Sequence, residues 1–151
     1  MRKILIKSSK VFLNLVKLGA ILYTINSVFV FFKPDLNSTE LPKSFLIASL
    51  MFSIIKSVLY YLISDKVIKI IENAEKDPFT IENMNRFTRT GMYLIIGAVM
   101  NFISNHSNVL RADLEKTNSV GLVFIGGVIC FVIANMIYKA VEIKKDNELT
   151  I

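Results

Sequence analysis

His106 is the only histidine of the chain and Cys130 the only cysteine, so metal and thiol chemistry have little to draw on. Asp113 and Glu115 follow His106 at a spacing that matches no zinc ligand set, and Cys130 sits in an apolar run without a second ligand beside it. A lone cysteine forms no internal disulfide. No glycine-rich phosphate loop, nucleophile elbow or zinc-binding helix occurs. The expectation is a protein that is not an enzyme and holds no metal or cofactor. Function is then left to charged and amide side chains in unusual surroundings. These are Lys56, Tyr60 and Asn101 inside apolar runs, and Arg86 and Arg89 in a polar stretch between two such runs.

The apolar runs dominate the chain. Hydrophobic residues make up 53% of it and the mean hydropathy is +0.52, more than a soluble domain needs to fill one core. A helix needs roughly 20 apolar residues to cross about 30 Å of hydrocarbon. Four runs come near that length, at about 11–32, 44–64, 90–109 and 119–141. The third is the weakest, turning polar at Asn105, His106 and Ser107, and the fourth carries no charge before Lys139. The pattern predicts an all-α membrane protein, a four-transmembrane-helix bundle forming one domain over 1–151. The opening MRKILIKSSK imitates a secretory signal, but the apolar run after it is too long and is interrupted by Lys17, which points to an uncleaved first span.

Charge placement supplies the orientation, because Lys and Arg accumulate in short cytoplasmic segments. Twelve of the 18 basic residues fall in segments 1–10, 65–89 and 139–151, which a four-span chain places on one side. Only Lys33, Lys43, Arg111 and Lys116 fall on the other, and Lys17 and Lys56 lie within runs. Both termini are therefore expected in the cytoplasm. Cytoplasmic bases beside anionic lipid account for the net charge of +6, so the bilayer is the expected partner and no direct nucleic-acid binding is expected.

Between the second and third runs lies KDPFTIENMNRFTRTG, residues 76–91. Pro78 biases Asp77 away from helical geometry and should end the preceding helix. Thr80 is a good N-cap, Glu82 and Asn83 occupy the first turn, and Phe79 is placed to staple against Met84. With KVIKIIENAE at 66–75 this stretch predicts a helical cytoplasmic hairpin between spans 2 and 3. Its exposed faces would offer Asp65, Lys66, Lys69, Glu72, Asn73, Glu82, Arg86 and Arg89.

PFTIEN at 78–83, followed by Arg86, Arg89 and Gly91, resembles the pattern of a bacterial membrane family catalogued as domain of unknown function 2975. Glu142 and the final ELTI at 148–151 resemble that family's closing residues. The resemblance covers essentially the whole chain and implies four spans in the bacterial cytoplasmic membrane. It also implies a regulatory membrane protein of no established biochemical activity, because members look to be encoded beside a small helix-turn-helix transcription regulator that they would bind or sequester. Carried to this chain, the partner-binding candidates are Phe79, Glu82, Asn83, Arg86, Arg89, Glu148, Leu149, Thr150 and Ile151.

Charged residues inside spans are functional candidates in their own right. Lys17 lies close enough to the interface to snorkel, whereas Lys56 is some 12 residues into its run, about the depth of Asn101 and one turn from Tyr60. An interior polar cluster of these three is the basis of an alternative function, a small transporter or immunity-type protein with an intramembrane cavity. A structural subunit of a larger membrane complex is a third reading. Asn14, Asn26 and Asn135 fit interhelical hydrogen bonding, and Gly126, Cys130 and Ala134 form a small-residue ridge suited to close packing or to a homo-oligomer.

Overall fold

The computed structural model describes residues 2–32, 43–106 and 120–148. They form four α-helices: α1 Arg2–Phe31, α2 Lys43–Ala74, α3 Ile81–His106 and α4 Val120–Glu148. At the helical rise each is about 39–48 Å long, more than the hydrocarbon thickness. Three of them, α1, α2 and α4, contain runs long and apolar enough to cross a membrane, and only 6, 11 and 17% of those runs is buried. Large side chains such as Phe12, Leu22, Phe29, Leu122, Val132 and Met136 point outward. That arrangement suits lipid as the surrounding medium and would be untenable in water. α3 is the exception: its first half carries Glu82, Arg86 and Arg89, so it falls short of the other three in hydropathy.

The interior is built from small residues. Ala20, Ser57, Ser64, Thr90, Gly91, Ala98, Gly127 and Ala134 are buried, and few large apolar side chains join them. Lipid tails already solvate apolar side chains, so helices associate in a membrane mainly through close backbone approach and fitted packing. Several hydroxyls in the helices are satisfied locally, Thr24 donating to the Ala20 carbonyl, Thr88 to Met84 and Thr90 to Arg86, whereas the buried Ser57 Oγ has no hydrogen-bond partner among the described residues.

Packing follows chain order. α1 packs on α2, α2 on α3 and, most extensively, α3 on α4. No comparable packing joins α1 to α4 among the described residues, so the four helices of the expected bundle form an open row with two edges. α1 is fastened to α2 by ion pairs, Lys10 to Glu72 and Glu75 at 3.8 and 3.5 Å and Lys17 to Asp65 at 2.8 Å, and among the described residues no ion pair joins it to α4. α3 and α4 meet at glycines: a Cβ at Gly91 would lie 2.9 Å from the Gly127 carbonyl oxygen, and one at Gly127 would lie 2.8 Å from Ile95 Cγ1. The crossing point is thus Gly127, and the ridge runs through Gly127, Cys130, Ala134 and Ile137. Gly126, the expected member, makes only ordinary contact with Leu94 at 3.8 Å.

Lys17 does more than snorkel. Its Nζ donates to Asp65 and lies 5.1 Å from the centroid of the Tyr61 ring, while Asp65 also pairs with Lys69 at 3.0 Å. The side chains of Lys17 and Asp65 are only 17% and 25% exposed, so breaking the pair strands a charge. The costs should be unequal. Lys17→Met leaves Asp65 with Lys69, whereas Asp65→Leu leaves Lys17 with none. In detergent unfolding, Asp65→Leu is expected to cost about 2 kcal/mol and Lys17→Met less, with the double variant recovering part of the loss. Equal single costs that simply add would contradict this arrangement.

Candidate functional site

The polar end of the row is organised by the turn between α2 and α3. α2 ends where the amides of Lys76 and Asp77 donate to the Asn73 carbonyl, and Asp77 Oδ1 then accepts the Phe79 N–H at 3.0 Å. α3 starts as its sequence dictates: Thr80 is the N-cap, its Oγ1 accepting the Asn83 N–H at 3.2 Å and its carbonyl the Met84 N–H at 3.1 Å. Lys144 of α4 reaches the same turn, its Nζ 3.0 Å from Asp77 Oδ2. The hydrogen bonds from Lys144 and then from the Phe79 N–H hold the Asp77 carboxyl below the usual carboxylate range. A depressed carboxylate stabilises above its unfolded pKa and loses that contribution as pH falls through the folded value, so this clasp is fully formed at neutral pH.

The residues singled out from the sequence divide into builders of the turn and residues free to meet a partner. Asn83 is a builder, only 1% exposed, with its Nδ2 donating to the carbonyls of Pro78 at 3.2 Å and Asp77 at 3.5 Å. It cannot touch a partner at the surface, which corrects its place among the docking candidates. Arg86 is a second builder, and it too leaves the docking set: its guanidinium donates to the Lys69 carbonyl at 2.7 Å and pairs with Glu82, and its side chain is 15% exposed. Glu82 remains exposed but is engaged by Arg86 and by Asn73 Nδ2 at 3.2 Å. Arg89 is exposed with no partner among the described residues. Leu149, Thr150 and Ile151 lie outside the described residues, as do Asp113 and Glu115.

Phe79 is 51% exposed and turns toward α4. With Ala140, Ile143, Lys144, Asn147 and Glu148 it lines an open groove of about 490 Å³. Ile81 and Ile143 nearby are 60% and 61% exposed. The groove was hidden from the sequence because it joins residues more than 60 positions apart, Phe79 and Ile143. The Asp77–Lys144 pair that brings them together has no local signature.

The intramembrane candidates are not drawn into one cluster. Leu59 meets Gly97 at 4.0 Å from the position of a Cβ there, which sets Lys56 and Asn101 at similar depth on α2 and α3, both half-buried. No hydrogen bond joins them among the described residues, and Tyr60 is 50% exposed on the outer surface. The interior cluster expected of Lys56, Tyr60 and Asn101 is therefore absent as a unit among the described residues, because Tyr60 lies about 100° around α2 from the inward-facing Leu59.

Fold and site together define an all-helical protein with three helices long and apolar enough to cross a membrane, closed at one end by a clasped, polar turn. No protein-family model matches the sequence, and neither a curated protein nor a solved structure is significantly similar to it.

Proposed function

We propose that the protein spans the bacterial cytoplasmic membrane four times, with the N-terminal end of α1 and the C-terminal end of α4 in the cytoplasm. In this reading its polar end binds a small cytosolic helix-turn-helix transcription regulator and controls its availability. Support for a fourth span comes from packing: α3 lies between α2 and α4 and meets the backbone of α4 at Gly91 and Gly127. A helix held that closely crosses with its neighbours, its weak hydropathy offset by contacts on two sides. The basic residues of the polar end support the cytoplasmic side.

The observation that carries the docking function is the groove at Phe79 and Ile143. α3 begins at Ile81, nine residues before its apolar run, which places the turn about 14 Å beyond the hydrocarbon edge. Exposed Phe79, Ile81 and Ile143 there face water, where an amphipathic helix of a partner buries them. Lys144 and Glu148 supply a charged rim. The family resemblance of 78–83 supplies the class of partner.

Co-purification with a helix-turn-helix regulator encoded beside this chain tests the proposal. Phe79→Asp with Ile143→Asp should lower capture at least about tenfold, the loss of roughly 1.4 kcal/mol or more from buried apolar anchors. Arg86 is unsuitable for this purpose, since its reversal would break the turn. Capture that survives the double change intact would remove the groove from the proposal.

A further inference from the structure

The open row has two edges, α1 and α4, and each presents an exposed amide within its apolar run. Asn14 on α1 and Asn135 on α4 are exposed and have no hydrogen-bond partner among the described residues. Lipid tails offer an amide nothing to bond, so a membrane-embedded asparagine is stable chiefly where another helix supplies the partner. Both asparagines also sit within exposed residues at the alternating three- and four-residue spacing of a helix–helix seam: Lys7, Val11, Asn14, Leu18 and Ile21 on α1, and Val128, Val132, Asn135, Lys139 and Glu142 on α4.

The two seams complement each other. Asn14 follows Lys7 by seven residues, and Glu142 follows Asn135 by seven. α1 and α4 run in opposite directions, so a single register of an antiparallel pair sets Lys7 against Glu142 and Asn14 against Asn135. Lys7 and Glu142 are both exposed, and neither has an ion-pair partner among the described residues.

Depth agrees as well. Stepping across the row through Lys17–Asp65, Leu59–Gly97 and Gly91–Cys130 puts Asn14 about level with residue 133, within one helical turn, about 5 Å, of Asn135. Helices held in one bilayer cannot slide far to find a partner, so this agreement is a real condition on any pairing. Within one molecule α2 and α3 stand between the two edges. The complement must come from another copy.

We propose that the protein is a two-fold dimer in the membrane, with α1 of each copy packed antiparallel on α4 of the other. A Lys7–Glu142 ion pair fastens the polar end, and an Asn14–Asn135 hydrogen bond fastens the apolar layer. A two-fold axis along the membrane normal forms both contacts twice, which is the self-complementarity expected of a closed homodimer. The dimer does not depend on the docking function, and either can fail alone.

The test uses the full chain in lipid vesicles with Cys130→Ala as background, after that variant is shown to keep the dimer fraction of the native chain. Asn14→Cys and Asn135→Cys in one chain, on mild oxidation, should give a covalent dimer as the main species. Asn14→Cys with Val128→Cys, two turns out of register, should give at least about tenfold less. Separately, energy transfer between labelled copies should show Lys7→Glu weakening association about three- to tenfold and Lys7→Glu with Glu142→Lys restoring it. Four results would each overturn the proposal: monomers at every protein-to-lipid ratio, a covalent ladder beyond the dimer, equal cross-linking out of register, or a charge swap that fails to restore association.

Discussion

Gly91→Leu is expected to destabilise the protein by about 3 kcal/mol or more, read as a lowered unfolding midpoint in detergent. A Cβ at this position already lies 2.9 Å from the Gly127 carbonyl oxygen, 3.2 Å from Cys130 Cβ and 3.3 Å from Phe131 Cε2. The first of these is backbone and cannot rotate away, so α3 and α4 must separate, and theirs is the most extensive packing in the row. Gly91→Ala should also destabilise, although alanine's better helix propensity returns up to about 1 kcal/mol. Gly19→Ala gives the opposite sign. Nothing lies within 4 Å of a Cβ there, so only the propensity gain remains. Gly126→Ala should likewise be neutral or mildly stabilising, its nearest neighbour being 3.8 Å away. A destabilising Gly126→Ala beside a harmless Gly91→Ala would mean that the crossing had been assigned to the wrong face of α4.

Asn83→Leu should cost about 2–4 kcal/mol, because the amide is buried and its Nδ2 serves two backbone carbonyls just before the helix. Leucine fills similar space and leaves both carbonyls without a donor in a site screened from water. Asn83→Asp should be worse at neutral pH. It has nearly the same shape but sets an anionic acceptor against two carbonyl oxygens, an uncompensated buried charge. Thr80→Ala offers a milder comparison, at about 1 kcal/mol for a lost cap. The readout is thermal unfolding alongside proteolysis at the turn, which should be cut faster in both Asn83 variants. If Asn83→Leu unfolded like the native chain, the turn would not be held by this side chain.

Both effects arise at places the sequence showed unequally. The cap was legible: proline, then threonine, then an acidic first turn is a local grammar, and Thr80 closes α3 as that grammar requires. The burial of Asn83 was not, since an asparagine in the first turn reads equally as a surface amide. The long apolar runs announced four helices, but not whether α1 returned to α4, because lipid accepts an apolar face as readily as a neighbouring helix does. Glycine spacing suggested a close approach yet put it one residue early, at Gly126 in place of Gly127, a step of about 100° around the helix. Lys17 and Asp65 lie 48 residues apart, and their pairing depends on a register between α1 and α2 that no local pattern fixes.

The modest hydropathy of α3 bears on how the chain is made. α1, α2 and α4 can each enter lipid on their own account, whereas a segment that opens with Glu82, Arg86 and Arg89 gains too little from the bilayer to stay there by itself. If α3 crosses as proposed, its residence depends on the shape offered by later-synthesised Gly127, and during translation it would linger beside the insertion machinery until α4 emerges. A nascent chain arrested before residue 120 should leave a cysteine placed in α3 open to a membrane-impermeant thiol reagent, and the finished chain should shield it.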